Sequence, residues 1–295
     1  MKHMKRNLSE VTFDVGNVII LCLLTIATLY PFLYVAFASI SSPSELAAHS
    51  GLLLFPRGIQ WEAYKLVLNN PLILSGYKNT LIYVVVGTTL NIVVTALMAY
   101  ALSRKGVLLR NYIMMFIVFT MFFSGGLIPT YLMIKGVGLL NTMGAMVLPG
   151  LISTMNLIIM RTYFQSIPES LEESAKLDGA GDWVILFRII IPLSMPVISV
   201  MILYYGVGHW NAWFNASIYL NKSELFPLQL VLRNILVTNN TDDMMVTLGV
   251  NQKGQDMSEV IKYATIMVAT IPVLLVYPFL QKYFAKGVMI GAIKG

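Results

Sequence analysis

Six stretches of the chain carry no Lys, Arg, Asp or Glu: 15–44, 79–103, 111–134, 136–160, 189–221 and 263–281. Each is long enough to cross a bilayer, since about 20 helical residues rising roughly 1.5 Å apiece span a hydrocarbon core about 30 Å thick. Within lipid a segment must satisfy its own backbone, which leaves helices or closed barrels. Barrel strands would be about 10 residues long and strictly alternating, whereas these runs are long and continuous. The pattern predicts an all-α, polytopic membrane protein with six transmembrane helices. It divides the chain into an N-terminal segment 1–14, a six-helix region 15–285 and a C-terminal tail 286–295, with a polar loop at 165–192 and another at 215–259.

Composition sharpens that reading. Hydrophobic residues make up 57% of the 295 and charged residues only 12%, about half the charged share of a soluble domain. A soluble fold is excluded for want of polar surface, and disorder is excluded by the hydrophobicity. Lys2, Lys5 and Arg6 before the first run, with Ala36-Phe37-Ala38 near its end, imitate a secretion signal, but the apolar stretch is too long for one. Cys22 follows Leu21, not the small residue a lipoprotein site needs, and a single cysteine permits no intrachain disulfide. Placing the N-terminus in the cytoplasm puts 12 of the 20 Lys and Arg on inner segments, so the positive-inside rule predicts that both ends are cytoplasmic. The net charge of +6 is then membrane anchoring, with no nucleic-acid partner implied.

The missing residue types limit the chemistry. No Asp or Glu occurs over 63–168, 183–223 or 260–295, which disfavours a proton- or sodium-coupled carrier, because such carriers keep an ionisable group near the midplane. The three histidines, His3, His49 and His209, are far apart and no metal-ligand spacing is present. His209 beside Trp210 reads as a satisfied or interfacial histidine. The 18 methionines read as packing or lipid-facing residues without a tight cluster. No G-x-x-x-x-G-K-[ST] segment exists, so energy for transport would come from a partner.

The loop between the fourth and fifth runs carries the most information. Ser166 and Glu169 have capping-box spacing with Pro168 in the first turn, predicting a helix start. Glu169, Glu172 and Glu173 complement its dipole, Gly179 provides the left-handed residue that stops it, and Asp182 is placed to cap a second helix running through Arg188 to Pro192. Leu171, Ala175 and Leu177 offer a small apolar surface. The residues alone leave a solvated amphipathic loop and a partner-docking knob equally open.

Glu173, Ala175, Asp178, Gly179 and Ala180, followed by Ile189, Pro192, Leu193 and Pro196, resemble the EAA loop of permease subunits in ATP-binding-cassette importers, with Ser174 in place of the usual alanine. Phe123–Tyr131, Gly138–Thr142, the Trp210, Asn211 and Trp213 group and the terminal Gly291–Gly295 resemble carbohydrate importer permeases, specifically the maltose-type second permease and a branch associated with polysaccharide fragments. The resemblance implies a type I importer permease fold and no catalysis or metal site in this chain. It implies that ATP and magnesium bind on two partner ATPase subunits, with a second homologous permease and an extracytoplasmic solute-binding protein completing the complex. ATPase coupling then falls to Glu172, Glu173, Ala175, Asp178, Gly179, Ala180 and Pro192, and a tail contact with the ATPases to Gly291, Lys294 and Gly295.

Two further groups are weighed beside this. Tyr204, Tyr205, Trp210, Asn211 and Trp213 have the aromatic and amide chemistry of a sugar path, but an interfacial aromatic belt is the favoured reading. Thr238, Asn239, Asn240 and Thr241 lie in the longest polar stretch, where relatives meet the binding protein; a solvated connector is equally open. The reading as a whole is a bacterial inner-membrane permease subunit for an oligosaccharide. A permease for another small solute is the near alternative, and an ion-coupled secondary transporter the more distant one.

Overall fold

The computed structural model describes residues 8–237 and 254–292, and the described residues are almost entirely helical. They divide into two compact units, one formed by residues 8–70 with 235–237 and 254–270, the other by 71–234 with 271–292.

In the first unit, α1 (Leu8–Ser39) is a single helix through Pro31. The apolar portion Glu10–Ser39 is about 45 Å long at helical rise; its most apolar 18-residue window holds no buried residue, whereas Ala38 and Ser39 at its end are buried. It is followed by α2 (Pro43–Ala47) and α3 (Glu62–Asn69). The connecting chain is tied by Ser42 N donating to Arg57 O (2.6 Å) and Gln60 N to Ile40 O (2.9 Å). Ser39 and Tyr64 share a hydroxyl hydrogen bond of 2.8 Å, and Tyr34 packs edge-on against Tyr263 at 5.8 Å.

The second unit is organised around α4 (Pro71–Ser103), which packs against α12 (Met195–Trp210) and α8 (Thr154–Ser166). Many of the residues α4 buries are small or polar: Gly76, Thr80, Gly87, Thr88, Asn91, Thr95, Ala96 and Ala99. Gly76, Thr80, Gly87, Asn91, Thr95 and Ala99 recur at spacings of four or seven, with Thr88 and Ala96 beside them, and draw one stripe along the helix. Apolar surface gains little by leaving lipid, so helix association there relies on close packing and interhelical hydrogen bonds, which small residues permit. The main core gathers Leu157, Met160 and Phe164 of α8 with Ile185, Leu186, Ile190 and Met201.

Three of the six predicted runs fall largely on helices long and apolar enough to cross a membrane: Glu10–Ser39, Pro71–Ser103 and Met257–Leu275. The last belongs to α15 (Gly254–Ala292). The other three runs are broken. Run 111–134 becomes α5 (Arg110–Phe122) and α6 (Leu127–Gly136), bent by 113°. The cause is local: Gly126 turns at φ +85° between them. Run 136–160 is interrupted by Pro149 and Gly150, leaving α7 (Met143–Val147) and the start of α8. Ser153 caps α8 by accepting from Asn156 N, an N-terminal signal inside an apolar run. The fifth run bends by 82° between Leu193 and Met195. Before this bend, α10 (Asp182–Ile185) passes through a π turn, Leu186–Ile190, into α11 (Ile191–Leu193). Pro192 and Pro196 both lack an amide proton, and a proline ring clashes with the carbonyl four residues earlier, which weakens the helix on either side of this bend. Pro196 falls in the first turn of α12, where it costs nothing. Beyond α12 come α13 (Phe214–Tyr219) and α14 (Leu228–Val237).

Candidate functional site

The predicted loop helix exists as α9 (Glu169–Leu177). Its start differs from the expectation. Ser166 is still in the last turn of α8 and donates to Tyr163 O (2.7 Å), so no capping box forms and Pro168 occupies the cap position without a side-chain bond. The first turn is supported instead by Glu169 and Glu172 against the helix dipole, with Lys176 in the last turn. Asp182 likewise does not cap; Gly181 holds that position and Asp182 is the first helical residue of α10.

The end of α9 is a Schellman motif. Ala180 N donates to Ala175 O (2.9 Å) and Gly179 N to Lys176 O (3.0 Å), the paired bonds that close a helix over a left-handed residue. Gly179 has φ +82°, and a Cβ built there would meet nothing within 4 Å. The need for glycine is therefore conformational, not steric. Ala175 and Ala180, the two ends of the motif, both pack against the main core.

Adjacent glutamates on α9 are used differently. Glu172 is buried, ion-paired to the Arg104 guanidinium and to Lys176 (2.9 Å), whereas Glu173 is exposed. Arg104 is held from several sides: Nε donates to Ser103 Oγ (3.0 Å), Nη2 to Phe164 O (3.3 Å), and the guanidinium lies over the Tyr100 ring at 4.9 Å. Three residues back on α9, Glu169 pairs with Lys105 (2.7 Å), and both are exposed. Such a surface pair contributes about 0–1 kcal/mol, whereas removing one partner of a buried pair costs more because the other is left uncompensated. Burial alone would raise the Glu172 carboxyl, but the hydrogen bonds and charges of Lys176 and Arg104 outweigh it and hold it below its ordinary range. Lys176 is pushed up, chiefly by its hydrogen bond to Glu172. These groups line a cleft of about 760 Å³ between the α4–α5 connection and α9 that also takes in Arg110 and Asp182.

The helices on either side of the turn expose large apolar side chains. Leu177 is 90% exposed and Leu171 is also exposed. Trp183 and Phe187 of the following segment stack at 6.1 Å with Trp183 66% exposed. Of the residues predicted for ATPase coupling, Glu173, Asp178 and Gly179 are at the surface, Ala175 and Ala180 are half-buried, Glu172 faces inward, and exposed Pro192 sits beyond the π turn. Arg104 and Lys105 were not singled out in the sequence; the signal was their position directly after an uncharged run, opposite an acidic loop.

The aromatic group does not face one way. Tyr205 is buried, sharing a hydrogen bond with Thr95 (2.8 Å) and accepting from Ser153 N (3.2 Å). Tyr204 and Asn211 are exposed, Trp210 packs edge-on to Tyr77 at 6.4 Å, and Trp213 lies under the Arg233 guanidinium at 4.8 Å. His209 is satisfied by Asn91 Oδ1 at 2.7 Å. Gly291 falls in the last turn of α15. Lys294, Gly295, Thr238, Asn239, Asn240 and Thr241 lie outside the described residues.

The family described as "Binding-protein-dependent transport system inner membrane component" matches residues 91–290, a span that includes α9, its turn and the π segment. The chain belongs to this family. Over 284 residues the permease is 43% identical to Protein LplC of Bacillus subtilis (strain 168), covering 96% of this chain and 95% of that protein. It is 43% identical over 269 residues to the polygalacturonan/rhamnogalacturonan transport system permease protein YtcP of the same organism, covering 90% and 92%. A chain from the crystal structure of a bacterial ABC transporter involved in the import of the acidic polysaccharide alginate superimposes with a TM-score of 0.89 at 33% identity, covering 95% of this chain and 99% of that one. The permease therefore has the type I importer fold and is a transport component, not an enzyme.

Proposed function

We propose that this permease forms, with a second homologous permease, the inner-membrane path of an importer for oligosaccharides released from acidic polysaccharides. The observation that carries the cargo class is the full-length likeness to permeases whose described cargoes are polygalacturonan, rhamnogalacturonan and alginate. An extracytoplasmic binding protein delivers the solute, two ATPase subunits hold ATP and magnesium, and both ends of this chain face the cytoplasm. Six passes follow, with α7 and α8 together making the fourth.

On this reading α9 and its turn dock on an ATPase subunit. The exposed Leu177, Leu171 and Glu173 supply the contact, and the Schellman motif keeps the lever stiff. Closure of the ATPase pair favours one position of α9, and that differential affinity biases the permease between its inward- and outward-facing states. The C-terminal residues Gly291, Lys294 and Gly295 contact the ATPases, and Thr238 to Thr241 contact the binding protein. The test is co-purification with the ATPase subunits, followed by uptake of an oligogalacturonate into vesicles that hold the complete complex. Binding-protein- and ATP-dependent uptake supports the proposal. Uptake by this chain without ATPase subunits would refute it, and ATP-dependent uptake of only neutral sugars would refute the acidic cargo.

A further inference from the structure

Force applied to α9 has two routes into the rest of its unit. The covalent route runs through the non-helical Ile167–Pro168 joint on one side and the Gly179–Gly181 turn on the other. The second route is made of side chains. Glu169, Glu172 and Lys176 stand at i, i+3 and i+7, one face of the helix, and that face meets Arg104 and Lys105 at the end of α4. Arg104 is anchored by Tyr100, Ser103 and Phe164 O, so it is fixed to α4 and α8 before it reaches Glu172. α4 in turn is the helix against which both α12 and α8 pack.

We propose that Arg104 and Glu172, seconded by Lys105 and Glu169, form an internal latch that makes α9 and the end of α4 move as one body. They are positioning residues for ATPase coupling: Glu172 works inside the permease and its neighbour Glu173 is left for the partner. The inference rests on the reading of α9 as the docking helix. It assigns α4, and not only the chain segments flanking α9, as the element that carries the motion onward.

The test uses the complete importer in lipid vesicles, with Cys22→Ser removing the one native cysteine. Spin labels go on Gly106→Cys, where a side chain meets nothing within 4 Å, and on the exposed Ser174→Cys of α9. Pulsed EPR distances are compared without nucleotide and after trapping with ATP and vanadate. The unmutated latch is expected to give the same narrow distance in both states. With Arg104→Gln or Glu172→Gln, trapping shifts α9 away from α4. The double variant shifts no further than either single one, and Arg104→Lys restores much of the lock. Equal broadening in both nucleotide states would mean a structural role only and would overturn the proposal, as would a nucleotide-dependent shift in the unmutated protein. Should the Arg104 and Glu172 variants not assemble, the exposed pair is read the same way: Lys105→Glu loosens the lock, and adding Glu169→Lys restores it. Failure of the unmutated chain to retain ATPase subunits on purification would sink the docking-helix reading. The nucleotide-free distance width would then still report separately whether the latch holds.

Discussion

Asn91 of α4 and His209 of α12 meet at 2.7 Å, and the hydrogen bond has a defined direction. The Asn91 amide nitrogen donates to the carbonyls of Gly150 (2.8 Å) and Leu151 (2.7 Å), so its Oδ1 is the acceptor and His209 Nε2 carries the proton. One fully buried side chain thereby joins two long helices to the break that precedes α8. The carbonyls it satisfies are those freed where Pro149 and Gly150 interrupt the run. Asn91→Leu is expected to destabilise the detergent-solubilised permease by about 1–3 kcal/mol, since it leaves buried acceptors and a donor unmet. Asn91→Asp should do no better, because a carboxylate cannot donate to two carbonyls. Thermal unfolding of the three proteins side by side measures this; equal midpoints would show that the bonds contribute nothing.

One turn away, Gly87 is the reason the His209 ring can lie against α4. A Cβ on Gly87 would collide with the ring of His209, closer than real side-chain contacts occur. Gly87→Ala is expected to cost about 1–3 kcal/mol, the range for overpacking a well-filled site. Adding His209→Ala should recover part of that loss by removing the ring. A Gly87→Ala variant as stable as the parent, or a double variant less stable than the sum of the singles, would contradict the close approach as the cause.

The uncharged runs located the apolar segments because charge is costly in lipid, and the long helices α1, α4 and α15 fall on them. The breaks at Gly126, Pro149 and Ser194 were less visible, since apolarity reports burial in lipid and not straightness. In the loop, Gly179 was legible because a left-handed residue has a strong local signature. The capping roles given to Ser166 and Asp182 failed because a neighbouring helix claimed the first and Gly181 the second. The latch was illegible: Arg104 and Glu172 are 68 residues apart, and only the packing of α4 on α8 brings them together. For the same reason the aromatic group read as one cluster in sequence, yet Tyr205 and Tyr204 face opposite environments.

Substitutions at Gly179 separate conformation from bulk. The turn is open around the missing Cβ, so size alone is no obstacle, but φ +82° is strained for a β-branched residue. Gly179→Val is expected to cost about 1 kcal/mol or more in the turn and to uncouple ATP hydrolysis from uptake. Gly179→Asn, which tolerates the left-handed region, should keep most coupling. Measuring the ratio of ATP hydrolysed to solute imported checks both. Wild-type coupling in the Val variant would show that the rigidity of this turn is not used.

The charge state of Glu172 sets an acid limit on the ion pairs that hold α9 to Arg104. Its carboxyl is held below the ordinary 4.5 by Lys176 and Arg104 against the opposing effect of burial. A group whose folded value is depressed contributes stability above its unfolded value and loses it as pH falls through the folded one. Lys176 is raised above 10.5, so its contribution is present below that value and is lost only in strong alkali. The ion-paired α9 is therefore fully formed across the neutral range. The difference in thermal midpoint between the parent and Glu172→Gln is expected to be constant through that range and to shrink as pH drops below the ordinary carboxylate value, where both proteins carry a neutral group at this position. A difference that already fades near neutrality would mean that burial, not pairing, dominates at Glu172, and that the carboxyl is raised.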